Sequence, residues 1–235
     1  MIGVVGGMGT SVTNHFLQKL EEASPATCDQ EHLPVMVYSD TTILDRTESI
    51  EAPPAQVELV REKLQQALDF ISSSQVTHVV MLCNAAHYWV PKLVFSSTIK
   101  FWSLPDTVHD YLTRNQLSKV GVLCTRGSHR VKIYDFPQCY YPTMEEIDMV
   151  HATIYQFKKK EIDVELAREK IKPVLHSLLY EGCQKVILGC TELSIILFEY
   201  PQTIDPLQIV INGLIQKYYV SDTPTSNDQQ QQRRL

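Results

Sequence analysis

Short runs of apolar, mostly β-branched residues recur along the chain, at 2–5, 35–38, 79–82, 120–123 and 186–188, each closed off by polar or turn residues. A continuous apolar run of that length is the pattern of a strand buried on both faces, as in a parallel sheet covered by helices. Between the runs the period becomes helical. Over 54–73, Val57, Val60, Leu64, Ala67, Leu68 and Ile71 fall on one face, and Pro53 and Pro54 suit the first turn. Further helices are expected over 162–180, with Gly182 as a cap just past the end, over 144–157, and over 207–219. Strands alternating with helices of this length predict an α/β fold with mainly parallel sheets.

The order of segments occurs twice. Ile2-Gly3-Val4-Val5 runs into a Gly-rich turn, and Val120-Gly121-Val122-Leu123 runs into Cys124-Thr125-Arg126-Gly127-Ser128. Later in each half an apolar strand ends in a cysteine and a small polar residue, at Leu82-Cys83-Asn84 and at Leu188-Gly189-Cys190-Thr191. The repeat predicts two similar Rossmann-like domains. The first would comprise 1–107 plus 207–220 and carry Cys83; the second, 108–206, would carry Cys190. The polar tail 221–235, with four consecutive glutamines, is expected to be disordered.

Composition narrows the function. The 235 residues are 44% hydrophobic and 20% charged, an ordinary balance for a soluble globular protein. A net charge of −6 argues against nucleic acid or an anionic membrane as partner, and requires an acidic ligand to find a local Arg or Lys. No apolar run reaches the roughly 18 residues of a membrane span, and the N-terminus enters a strand at once without a signal-like segment, so a cytoplasmic location is expected. Six cysteines stand at 28, 83, 124, 139, 183 and 190, with no Cys-x-x-Cys pair and no His-Glu-x-x-His. Neither a disulfide framework nor a metal site is expected.

A lone cysteine on an apolar strand is usually core. Cys83 and Cys190 differ in their placement. Each ends a buried parallel strand, where α/β folds open their ligand crevice, and each precedes a helix start that favours a thiolate. If the repeats face each other, two thiols meet across one cleft. Inverting a carbon centre needs this arrangement, a base on one face and an acid on the other. Asn84, Thr191, Thr125 and Ser128 offer neutral donors at the same strand ends, with helix capping as the plainer role. The turn Gly6-Gly7-Met8-Gly9 can present backbone N–H groups to a carboxylate. It is neither a dinucleotide fingerprint, since Val12 stands where a third Gly is needed, nor a phosphate loop. Arg46 can clamp a second carboxylate, although a loop Arg is usually solvated. Lys158-Lys159-Lys160 has the look of a solvated run, His87 lies one turn past Cys83 either to tune that thiol or to pack, and Glu192 can serve as a helper acid or base.

Taken together, Gly3-Val4-Val5-Gly6-Gly7-Met8-Gly9, Asp29-Gln30-Glu31-His32, Asp45-Arg46-Thr47, Cys83-Asn84-x-Ala86-His87, Gly189-Cys190-Thr191-Glu192 and Asp205-Pro206 resemble the aspartate/glutamate racemase family, specifically its cofactor-independent aspartate racemases. The resemblance implies two α/β domains related by a pseudo-twofold axis, a site between them, a homodimer, no cofactor, and proton transfer by Cys83 and Cys190. It implies that Arg46 holds the substrate's side-chain carboxylate and that Lys159 closes over the substrate, with the adjacent lysines leaving that register open by one residue. Glu192, where strict glutamate racemases usually carry His, favours aspartate. Departures are Ala85 in place of a usual Thr, Thr125-Arg126-Gly127-Ser128 in place of Thr-Thr-Gly-Thr, and Thr10-Ser11 in place of Pro-x-Ala. A glutamate or broad-range racemase, an enzyme isomerising or decarboxylating other small dicarboxylates, and a catalytically silent amino-acid binder are the competing readings.

Overall fold

A computed structural model describes residues 1–198 and 200–221; all but the first residue of the tail expected to be disordered, 221–235, lies outside the described residues. Among the described residues, eight strands form two sheets. The first contains β1 (Ile2–Gly6), β2 (Val35–Ser39), β3 (His78–Met81) and β4 (Lys100–Trp102) in the order β2-β1-β3-β4. The second contains β5 (Val120–Leu123), β6 (Cys139–Tyr140), β7 (Lys185–Leu188) and β8 (Thr203–Ile204) in the order β6-β5-β7-β8. Every pairing is parallel. One topology is used twice, as the repeated segments predict.

The helices are α1 (Thr10–Glu22), α2 (Arg46–Glu51), α3 (Pro54–Ser72), α4 (Leu104–Arg114), α5 (Arg126–Arg130), α6 (Met144–Lys158), α7 (Val164–Tyr180), α8 (Leu193–Ile196) and α9 (Pro206–Ile215). A 3-10 turn covers Ala85–Lys92. Helix starts follow local chemistry. Thr143 and Glu146 form a reciprocal capping box at α6, and Asp163 caps α7 by accepting from Leu166 N. Gly182 lies past α7 at φ 91, where the chain needs a residue without a Cβ.

The two halves use the same packing device. A Cβ at Gly3 in β1 would come within 2.5 Å of Ile71 on α3, and one at Gly121 in β5 within 2.8 Å of Leu178 on α7. Both central strands therefore carry glycine where a long helix presses on the sheet.

The chain crosses between the halves through α4 and again before α9. Leu104 packs with Ile2, Val4 and Phe16, whereas Val108 and Leu112 pack with Val120, Val122 and Ile187. Leu207, Val210, Ile211 and Leu214 of α9 return to the first of these cores. No helix among the described residues is long and apolar enough to cross a membrane.

Candidate active site

Parallel strands leave their open crevice beyond their carboxyl ends. Cys83 stands two residues past β3 and Cys190 two residues past β7, so the repeated topology brings the thiols to matching places. Both line one small chamber of about 20 Å³, room for about one water. Ten of the twelve residues singled out from the sequence line it: Met8, Arg46, Cys83, Asn84, Ala85, Thr125, Ser128, Cys190, Thr191 and Glu192. Asp45, Thr47, Tyr155 and Lys158 complete the wall. An adjoining outer cavity of about 570 Å³ shares Met8, Asp45, Arg46 and Lys158 with the chamber.

Arg46 is a wall residue and not a solvated loop residue. As the first residue of α2 it is only 8% exposed. Its guanidinium donates to the carbonyls of Ile43 (3.1 Å), Leu44 (2.8 Å) and Met8 (3.1 Å), which fixes its plane. Burial works against its charge, but the neighbouring Cys83 and Asp45 outweigh burial and raise its pKa. Its buried Nε has no hydrogen-bond partner among the described residues. Next to it, Asn84 accepts from the Tyr134 hydroxyl through Oδ1, across the two halves, so its buried and unpartnered Nδ2 is left as a donor. Two idle buried donors beside one thiol match an anionic ligand, since such groups are otherwise costly.

Cys190 has different neighbours. Its thiol donates to Glu192 Oε2 at 2.9 Å, and Glu192 Oε1 lies 3.6 Å from Lys158 Nζ. Burial of the thiol, and then the Glu192 charge, push the Cys190 pKa well up, so this thiol keeps its proton. Burial opposes the Lys158 charge, and the facing Glu192 more than restores it. Glu192 is 2% exposed, a buried carboxylate held by one cation.

His87 packs instead of facing the thiol. Its Nδ1 donates to the Cys83 carbonyl at 2.9 Å while Nε2 accepts from Leu104 N at 3.1 Å, the neutral tautomer this pair demands. Burial lowers its pKa to about 4. The ring thus ties the Cys83 turn to the start of α4.

Several sequence expectations need correction. The lysine of the chamber is Lys158; Lys159 lies beyond the end of α6 and is exposed, because the buried face of α6 runs through Ile147, Val150 and Ile154 and reaches 158 one turn later. Gly127 lines no part of the chamber: a Cβ there would come within 2.8 Å of the Thr47 backbone, so its service is to let α5 approach α2. The Thr125 hydroxyl caps α5 by accepting from Ser128 N and receives a bond from Thr47, so the capping role applies to it. In the Gly-rich turn, Gly7 N is already spent on Thr13 Oγ1 (3.1 Å), and Met8 offers Arg46 its carbonyl. Helix dipoles also add less to the thiols than expected, since Cys83 precedes a 3-10 turn and Cys190 a helix of one turn.

Asp45 and Tyr155 were missed as site residues. The Tyr155 hydroxyl donates to both Asp45 carboxylate oxygens, at 2.8 and 2.7 Å. Asp45 sits inside a motif that drew attention to Arg46; Tyr155 has the same helical phase signal as Lys158, three residues on.

The chain as a whole is similar to known proteins. The model of the Asp/Glu/hydantoin racemase family matches residues 5–213. The aspartate racemase of Picrophilus torridus is 26% identical, with 92% of this chain and 93% of that one covered at a TM-score of 0.79. An aspartate racemase homologue from Pyrococcus horikoshii (19% identical, 92% and 98% covered, TM-score 0.68) shares the fold. So does a glutamate racemase from Francisella tularensis in complex with D-glutamate (17% identical, 96% and 84% covered, TM-score 0.67). With two parallel α/β halves, paired strand-end thiols and a family match over nearly its whole length, this chain belongs to the Asp/Glu/hydantoin racemase family of isomerases.

Proposed function

We propose that this chain interconverts L- and D-aspartate, with Cys83 and Cys190 as the two acid–base groups and no cofactor. The observation that carries the reading is that the two matched thiols line a single chamber that also holds Arg46 and Lys158. One thiolate takes the α-proton, and the electron pair left on the α-carbon spreads into the α-carboxylate. The opposing thiol then gives its proton to the other face, the centre inverts, and the sulfurs have exchanged protonation. The surroundings of Cys190, whose thiol donates to Glu192 and keeps its proton, support it as the first acid, which leaves the base role to the opposing Cys83.

Arg46 takes the side-chain carboxylate in this reading. Asn84 Nδ2 serves the α-carboxylate and the charge that develops on it. The likeness to the Picrophilus enzyme and Glu192 after the second thiol support aspartate over glutamate. The division of the chain into 1–107 with 207–220 and 108–206 belongs to the same proposal, supported by the return of α9 to the first core. A homodimer, carried over from the resemblance, and a cytoplasmic location, expected from the sequence, complete it.

Racemisation of L-aspartate by wild type, Cys83→Ala and Cys190→Ala, followed by chiral chromatography without added cofactor, tests the assignment. Loss of inversion in both variants is expected. Inversion that survives either substitution rejects the two-thiol mechanism.

A further inference from the structure

The contact between Tyr155 and Asp45 joins the two halves directly over the chamber. Asp45 belongs to the first half and serves two partners at once. Its Oδ1 accepts Glu48 N at 3.0 Å and so caps α2, the helix that begins with Arg46. Both its oxygens also accept from the Tyr155 hydroxyl of α6, in the second half. Tyr155 is itself held in place. The His151 ring packs on it with centroids 4.3 Å apart, and the Lys158 ammonium stands 5.1 Å from its ring centre. One hydroxyl therefore links the segment that carries Arg46 to the segment that carries Lys158. The neighbouring cross-half contact, Thr47 Oγ1 to Thr125 Oγ1 at 3.3 Å, is longer and between neutral groups. Hydrogen bonds to a charged partner are the stronger kind.

We infer that the Tyr155–Asp45 bond is the latch that fixes how closely the two halves meet over the chamber, and so restricts the reaction to the shorter acidic substrate. This rests on the proposed aspartate reaction. Glutamate exceeds aspartate by one carbon, a bond length of about 1.5 Å. A chamber of about 20 Å³ must widen to admit either acid, and the longer one asks for about 1.5 Å more, so a bond that limits the widening weighs more on glutamate. Tyr155 thus acts by positioning Arg46 and Lys158, without itself touching the reacting carbon.

Tyr155→Phe is the sharpest variant, because it keeps the ring on which His151 and Lys158 rest and deletes only the hydroxyl. Removing a hydrogen bond to a carboxylate is expected to lower kcat/KM for aspartate about tenfold. Selectivity against an extra methylene, typically about 10- to 200-fold, should shrink by about fivefold or more. Asp45→Ala should shift the glutamate-to-aspartate ratio in the same direction, and Asp45→Asn, which keeps an acceptor for the hydroxyl, should recover most of the aspartate preference lost in Asp45→Ala. Amide hydrogen exchange across 46–51 reads the latch without substrate, and should quicken in Tyr155→Phe.

An active wild type whose substrate ratio does not move in Tyr155→Phe overturns the inference, as does a parallel fall for both acids or unchanged exchange across 46–51. A wild type that racemises neither acid rejects the aspartate reading and, with it, the claim on substrate length. Faster exchange in Tyr155→Phe would then still support the closing role of the bond.

Discussion

Cys83 and Cys190 occupy equivalent places in two sheets of the same order, yet their neighbours carry opposite charge. Cys83 has Arg46 against it, and its own turn is clamped by His87. Cys190 donates to a buried carboxylate, with Lys158 behind. A repeated backbone thus brings the two thiols to one chamber, and unequal side chains give each a different electrostatic neighbour.

The most severe way to break the comparison is to remove either sulfur. Cys83→Ala and Cys190→Ala should each lower racemisation by at least about 10³-fold, within the range of a positioned acid or base. A steady-state assay with both enantiomers checks this, and the two losses should be similar because each half needs the other.

The next largest effect falls on the Cys83 side. Arg46→Lys keeps the charge but cannot satisfy the carbonyls of Met8, Ile43 and Leu44 from one plane. Its kcat/KM for aspartate should fall about 100-fold, the scale of a misplaced positioning group. A change under about threefold would mean that charge alone suffices there.

On the Cys190 side, Lys158→Ala should lower kcat/KM about tenfold by leaving Glu192 without its cation, whereas Lys159→Ala should sit within about twofold of wild type. Equal effects would contradict the helical phase of α6.

The smallest catalytic effect belongs to His87, whose role shows in stability. The unfolded chain binds a proton there below about 6.5, and the folded chain only near 4. The stability contribution is complete above 6.5 and is lost as pH falls toward 4, by about 3 kcal/mol. His87→Leu should be less stable at pH 7, by about 3 kcal/mol for the orphaned Leu104 N–H and Cys83 carbonyl. It should also lack this acid limb, as denaturant titrations at pH 7 and 5 would show.

What the sequence revealed follows the same division. β1, β3, β5 and β7 were readable because central parallel strands carry unbroken apolar runs, and the ends of β3 and β7 located the thiols. The edge strands β4, β6 and β8 have two or three residues each and carry no comparable run. Arg46, Asn84 and Glu192 could be picked because they adjoin motifs. Lys158 was concealed among three lysines, although the spacing from Ile147 and Ile154 contained the answer. Asp45 and Tyr155 lie 110 residues apart, and only the packing of α6 onto α2 makes them partners.

The most direct test of the central claim places wild-type protein with L-aspartate in D2O, without cofactor, and follows deuterium at the α-carbon together with chirality. Two thiols acting on opposite faces predict D-aspartate that carries α-deuterium from the solvent. Neither exchange nor inversion, with aspartate or glutamate, would contradict the account.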